Sequence, residues 1–470
     1  MTDQKDPDAK KAYDRPLIRR HAVGQAAKGG TPSLIKVQKD IDGLAIEALA
    51  AEHGSPLFVF SESRLRRAAT ELREALSSRL GPVRLAWSYK TNWLRAVCAV
   101  FHSEGSLAEV VSEYEYQKAR GLGVPGPEVI YNGPYKPEAA LAEAFREGAQ
   151  VNLDSYDEMV SAERVAARLG LRPRVGLRVN LEAGAYPSWP RFGFNFESGE
   201  ADMAAERLVR GGRLELAGLH CHIGTFILDP HCFFEQARKM ADLCRRLTRD
   251  LGLELAWLNL GGGFASKNTL LHQYLPGETA TPSYDEYATA LAGGFQAAGW
   301  GPGDSPPLIF ETGRALVDEA GYLVSTVQAV KRLPSGIRAV VIDAGVNVVI
   351  TAFWYRHEVR PTQNYEGELE PTVVYGPLCM NIDLVRETVN LPGVRAGDRL
   401  VIWPVGAYNV TQWLQFIRLR PRVVMIGLDK QVEVIRTEDD LSEVIAKEPL
   451  PDRLTPPSGP DQGPTNGTPS

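Results

Sequence analysis

Between about residue 80 and residue 315 the chain alternates short apolar runs with amphipathic segments. Eight runs have the length and the β-branched or aromatic content of strands: 84–90, 107–112, 128–132, 150–154, 174–180, 216–222, 255–261 and 308–312. Segments 136–148 and 155–170 carry apolar residues at helical spacing, and Asp154 with Ser155 offers an N-cap, with Glu158 in the first turn. Apolar strands separated by helices imply a parallel sheet whose outer face is covered. Eight such units over roughly 230–260 residues match the size of a (β/α)8 barrel. That α/β fold is the expectation, and an open doubly wound sheet is its competitor.

After about residue 320 the texture changes. Runs at 323–330, 337–342, 372–375, 399–405, 421–426 and 431–435 are strand-like, with turn residues between them and little helix. An all-β C-terminal domain is expected. The layout that follows is a disordered tail at 1–30 and a segment at 31–56 that joins the β domain through a strand near 33–37. A barrel at 57–319, a β domain at 320–450 and a Pro- and Gly-rich disordered tail at 451–470 complete it.

Composition narrows the partners. The 470 residues hold 52 Lys+Arg against 58 Asp+Glu, a net charge of −6, and 44% hydrophobic residues. That supports a large core and argues against coating nucleic acid or an anionic membrane. No run reaches about 18 apolar residues and the N-terminus has no apolar leader, so a cytoplasmic protein is expected. The five cysteines (Cys98, Cys221, Cys232, Cys244, Cys379) are scattered and form no CxxC pair. Neither a disulfide framework nor a metal site is expected from them.

A barrel does its chemistry at the C-terminal ends of its strands. Those ends carry Lys90, Asn132, Asp154, Arg178, Asn180, His222, the triplet Gly261, Gly262 and Gly263, and Glu311. Loops are polar where strands stop, which accounts for any one of these. It accounts less well for a lysine after the first strand, a glycine triplet after the seventh and a carboxylate on the eighth. Desolvation lowers the pKa of a lysine in apolar surroundings and frees a nucleophilic amine, although strand-end lysines more commonly extend to water. Glycines let backbone N–H groups approach an anion closely. A carboxylate, a Schiff-base lysine and a phosphate cradle together suggest pyridoxal 5′-phosphate.

With these residues the sequence resembles the fold type III pyridoxal-phosphate decarboxylases, the group of diaminopimelate, ornithine and arginine decarboxylases. The likeness runs from about residue 55 to about 445. The segment from Ser88 to Asn92 is similar to the family's lysine motif, which implies that Lys90 holds the cofactor covalently. The segment from His220 to Thr225 resembles a His-x-Gly-Ser motif, implying that His222 stacks on the pyridine ring and that Thr225 replaces a phosphate-binding serine. Gly261, Gly262 and Gly263 match the phosphate loop. Glu311-Thr312-Gly313-Arg314 resembles Glu-Pro-Gly-Arg, so Glu311 is implied to pair with the ring nitrogen and Arg314 to contact phosphate or substrate carboxylate. Arg178 matches an arginine that supports the cofactor site, and Tyr408 of Gly406-Ala407-Tyr408 one that binds phosphate. The segment from Gly376 to Asp383 resembles Gly-Pro-x-Cys-(Glu/Asp)-x-x-Asp. That likeness implies a homodimer with shared active sites, in which Cys379 reaches the partner's site and returns a proton to the product.

Substrate contacts implied by the resemblance are Arg314, Tyr355, Met380 and Asp383. Three positions depart from the diaminopimelate decarboxylases. Met380 stands where they carry glutamate, Thr351 where they carry a carboxylate-binding arginine, and Phe416-Ile417 where they carry Tyr-Asn. Charges on a buried substrate need partners, so a different, less charged or bulkier amino-acid substrate is expected, unless Arg356, His357 or Arg360 compensates. An amino-acid racemase of the same fold and a non-catalytic decarboxylase homologue are the alternatives.

Overall fold

The computed structural model describes residues 35–184 and 186–454, organised around two sheets. The expected disordered tails, residues 1–30 and 455–470 of them, lie outside the described residues. After a short hairpin (Asp40–Ile41 with Leu44–Ala45) and the helix Ile46–His53 comes strand β1 (Leu57–Ser61), followed by β2 (Val83–Ser88), β3 (Leu107–Val110), β4 (Val129–Tyr131), β5 (Gln150–Leu153), β6 (Arg174–Asn180), β7 (Glu215–Cys221), β8 (Trp257–Asn259) and β9 (Leu308–Thr312). Strands β2 to β9 pair in parallel, each with the next. Pairing of β9 with β2 closes the ring into an eight-stranded barrel with helices outside.

The helices start where the sequence signals them. Ser155 accepts from the Glu158 N–H at 3.3 Å and caps Tyr156–Leu169, while Asp154 turns to Arg178 at 3.2 Å. Ser61, the last residue of β1, caps Glu62–Leu80 by accepting from Arg64 N–H at 3.2 Å.

Inside the barrel the side chains form layers. Ala86, Leu107, Ile130, Ala217, Trp257 and Ile309, one from each of six strands, make an apolar cluster of their own. Gly218 makes room for the indole, since a Cβ there would lie 2.1 Å from Trp257 Nε1. In a strand the residue two further on shares the same face. Two on from Leu107, Ile130, Trp257 and Ile309 stand Glu109, Asn132, Asn259 and Glu311. An apolar floor therefore carries a polar layer directly above it, at the C-terminal end.

The second sheet holds β10 (Gly321–Arg332), β11 (Arg338–Ile342), β12 (Glu358–Pro361), β13 (Glu370–Tyr375), β14 (Leu384–Leu391), β15 (Arg399–Trp403), β16 (Arg422–Ile426) and β17 (Val432–Arg436). Its order is β14-β13-β11-β10-β1-β16-β17, with β15 pairing β10 and β12. Two of these, β12 and β14, escape the sequence pattern, because Glu-Val-Arg-Pro and Leu-Val-Arg-Glu-Thr-Val-Asn-Leu mix charged and exposed residues into the run.

The N-terminal segment differs in detail from expectation. Residues 35–37 form no strand, and Ser33 and Leu34 lie outside the described residues. The strand that this part of the chain gives to the second sheet is β1, antiparallel to β10 and parallel to β16. All five of its residues are buried. A run apolar on both faces has the same pattern as a barrel strand. Ile41, Ile46 and Leu49 pack on its outer side with Tyr322 and Trp403.

Candidate active site

Lys90, just past β2, stands between β3 and β9, the strands on either side of its own. Its ammonium is bonded to the Glu109 carboxylate, which is fully buried. Glu109 Oε1 also accepts from Asn132 Nδ2 at 3.0 Å. The same Asn132 nitrogen donates to Glu311 Oε1 at 2.7 Å, and Asn259 Nδ2 reaches that oxygen at 2.7 Å as well. The other oxygen, Glu311 Oε2, faces His220 Nε2 at 3.1 Å. Asn152 Nδ2 donates to Asn132 Oδ1 at 2.8 Å, and Asn259 Oδ1 accepts from Gly261 N–H at 2.9 Å.

These contacts set the charges. Burial alone pulls Lys90 down, but Glu109, Glu311 and Tyr408 outweigh it and hold the amine above the usual lysine range. The expected lowered pKa is thus reversed, because two carboxylates overcome desolvation. Burial works against the Glu311 charge, yet His220, Lys90 and the Asn132 bond hold its carboxyl below the usual range. Burial, with the charges of Lys90 and Arg178, pushes His222 down to about 3, so its ring is neutral at pH 7. Gly262 N–H donates to His222 Nδ1 at 3.0 Å, which leaves the ring proton on Nε2.

The glycine triplet is packed on both sides. A Cβ on Gly262 would lie 2.0 Å from Glu311 O, and one on Gly261, at φ +62°, 2.8 Å from Cys221 O. Gly263 borders a small recess with Lys90, Thr225, Glu311, Arg314 and Tyr408. Arg314 lies with its guanidinium 4.8 Å from the Tyr408 ring and 4.7 Å from that of Tyr355. Its Nε and Nη1 are buried and have no hydrogen-bond partner, and its nearest carboxylate, on Asp318, is 3.8 Å away. A buried guanidinium with free donors beside a glycine loop fits a phosphate. With an amine at one end and an ionised carboxylate across the recess, the residues present fit pyridoxal 5′-phosphate.

The recess opens into a cleft of about 630 Å³ that includes Lys90, Arg178, His222, Arg314, Tyr355 and Tyr408. Its outer wall is aromatic: Tyr186, Trp189 and Phe192 from the loop after β6, with Trp354 and Phe226 opposite. Trp189 meets the His222 ring edge-on at 5.6 Å, and Arg178 stacks over Phe192 at 4.3 Å.

Three of the residues expected at the site are not in this cleft. Cys379 is exposed on the loop after β13, with Met380 beside it, half-buried. Asp383 is buried and uses its two oxygens to tie its own loop to the segment after β11, accepting from Leu378 N–H at 2.7 Å and Val346 N–H at 2.8 Å. It fixes the loop that carries Cys379. Thr351 is buried against His357 at 2.9 Å and Asn409 at 2.9 Å. The residues considered as replacements are committed elsewhere: Arg356 to the Gln273 carbonyl, His357 to Thr351, and Arg360 to Glu358 and the face of Trp403. Phe416 and Ile417 are exposed and do not line the cleft, so its apolar character comes from the β6 loop instead.

Sequence reasoning missed Glu109, Asn152 and Asn259 and took Asn132 only as a strand end. The available signal was a polar residue inside an otherwise apolar strand, two positions beyond an inward-facing one.

Comparisons with known proteins define the family. Residues 62–318 match the family model described as "Pyridoxal-dependent decarboxylase, pyridoxal binding domain". The chain belongs to that family, and it is an amino-acid decarboxylase with pyridoxal 5′-phosphate as its cofactor. Among its relatives, the diaminopimelate decarboxylase of Methanocaldococcus jannaschii is 29% identical over 430 residues, covering 88% of this chain and 95% of that protein. The crystal structure of that organism's enzyme superimposes with a TM-score of 0.82 at 28% identity, covering 90% of this chain and 99% of the other. A lysine/ornithine decarboxylase of Vibrio vulnificus shares the fold, with a TM-score of 0.68 at 22% identity over 81% of this chain and 97% of the other. Among the described residues no helix is long and apolar enough to cross a membrane.

Proposed function

We propose that the chain decarboxylates an amino acid or amino-acid derivative other than diaminopimelate, one whose distal end is apolar or bulky. The observation that carries this is the aromatic wall of the cleft together with the charges beside it. Lys90 is paired with Glu109, Glu311 with His220, and Arg178 with Asp154. Arg314 has buried free donors and faces the recess that fits phosphate, while Arg178 gives Nη1 to Asp154. A second ammonium at the substrate's far end would meet an aromatic wall and no carboxylate that is not already paired, and an unpaired buried ion costs roughly several kcal/mol.

When bound, pyridoxal phosphate supplies an electron sink for the charge left at the substrate's α-carbon. Lys90 provides the amine that anchors it and gives up the proton that Glu109 now shares. Glu311 holds a proton at the ring nitrogen. Gly263, with Thr225, Arg314 and Tyr408, would hold the phosphate, and Gly261 and Gly262, whose N–H groups go to Asn259 and His222, shape the turn that presents it. Neutral His222 packs in the cleft without repelling a cationic ring, and Arg178 braces the wall through Phe192. Tyr355 lies on the substrate side of Arg314. Lys90, or Cys379 from a second copy of the chain, returns the proton to the α-carbon, with Met380 beside it. A homodimer would make use of the exposed position of Cys379.

The test is CO2 release from the holoenzyme across L- and D-amino acids with diaminopimelate, lysine and ornithine in the same panel. Preference for a substrate with an apolar distal end is expected. A kcat/KM for diaminopimelate higher than for every apolar substrate would overturn the reading.

A further inference from the structure

The polar layer contains an arrangement that the reaction scheme does not use. Glu109 and Glu311, on strands β3 and β9, both lie within 3.0 Å of one nitrogen, Asn132 Nδ2. Both carboxylates are buried. Two buried carboxylates brought this close ordinarily share a proton, since the second charge is too costly. An amide nitrogen carries two hydrogens, and here there is one for each carboxylate. The amide is held this way round: its nitrogen serves two carboxylates, and its oxygen accepts from Asn152 Nδ2 at 2.8 Å. Asn152 is itself buried, and Gly176 on the next strand leaves it room, because a Cβ there would lie 2.0 Å from Asn152 Oδ1.

We propose that Asn132 is a positioning residue that keeps Glu109 and Glu311 ionised together, so that Lys90 and the cofactor's ring nitrogen each have a counter-ion of their own. The proposal rests on Lys90 and Glu311 being the cofactor's partners. It goes beyond the substrate reading, which could fail while this stands. Lys90 faces both carboxylates. His220 on β7 faces Glu311, as does His222 past β7, and Glu115 on the helix after β3 faces Glu109. His222, pushed down to about 3, does not titrate near neutrality. Glu115, raised by burial to about 7, does, so each variant must be compared with wild type at every pH.

The experiment is equilibrium binding of pyridoxal 5′-phosphate to the apo-protein between pH 6 and 9, followed by quenching of tryptophan fluorescence and by absorbance of the bound cofactor. In Asn132→Leu the two carboxylates share a proton. Affinity should fall about tenfold for each pH unit below the pair's new pKa, and recover as the shared proton leaves at higher pH. Asn152→Ala, which frees the amide to turn, should give a weaker defect of the same sign and keeps the test available if Asn132→Leu does not fold. A recovery with pH that is absent from wild type supports the proposal. A loss of affinity equal at all pH values, or no loss, overturns it. Normal pH-dependent binding with no decarboxylation of any substrate would sink the proposed reaction and leave this inference standing.

Discussion

The two ends of the cleft are built on opposite principles. At the floor, Glu109, Asn132, His220, Asn259 and Glu311 are all at most 5% exposed and bonded to one another. At the wall, Trp189 and Trp354 are 36% and 47% exposed, and Trp189 rests on ring contacts with Phe192 and His222. The floor stands on barrel strands, where a shift of one residue would reverse every side chain. The wall stands on a loop after β6 and on the turn before β12, where changes are tolerated. Chemistry common to many substrates belongs to the floor and choice among substrates to the wall.

That contrast can be broken by mutation. Lys90→Ala should abolish covalent retention of the cofactor and lower kcat for every substrate by on the order of 10³ or more. Survival of the cofactor through borohydride reduction and denaturing gel filtration in that variant, as in wild type, would refute the assignment. Glu311→Gln leaves the shape but removes the charge, and kcat should fall by about 10²–10³ with little change in KM. An unchanged kcat would place the ring nitrogen elsewhere. Trp189→Ala should act selectively, raising KM roughly tenfold for the bulkiest substrate and far less for a small one. An equal effect on both would dissolve the distinction between floor and wall.

The smallest effect concerns stability behind the wall, where the His357 ring lies 6.2 Å from that of Tyr355. Burial pushes His357 down to about 3 in the folded chain, against an ordinary value near 6.5. The folded state must keep this ring neutral, so its contribution is full above about pH 6.5 and lost as pH falls toward 3, at about 1.4 kcal/mol per unit. The difference in urea-unfolding free energy between wild type and His357→Asn should therefore shrink between pH 7 and pH 5. A constant difference would show that the ring takes up a proton freely.

How much of this was legible in the sequence follows the same division. All eight barrel strands stood out because each is short, apolar and followed by a helical segment. Lys90, His222, Glu311 and Arg314 sit in local motifs, so they could be picked out singly. Glu109, Asn152 and Asn259 have no motif around them; only closure of the ring brings them within reach of Asn132 and Glu311. The apolar distal side of the pocket is expected at Phe416 and Ile417, because sequence shows that apolar residues are present and not which loop folds over the cleft. Lys90 was expected to be less basic, since burial can be guessed from neighbours but two carboxylates from other strands cannot.

Strand β1 has one more consequence. It lies between β10 and β16 in the second sheet, yet about 260 residues of barrel separate Ser61 from Gly321. On a ribosome adding roughly 5–20 residues per second, this strand waits some 15–50 seconds for its partners. During that interval the helix Ile46–His53 can cover one face of Leu57, Phe58, Val59 and Phe60, but both backbone edges lack the strands that pair with them. Its pairing cannot be completed before residue 426 is made, so an unpaired strand edge travels with the nascent chain through synthesis of the whole barrel.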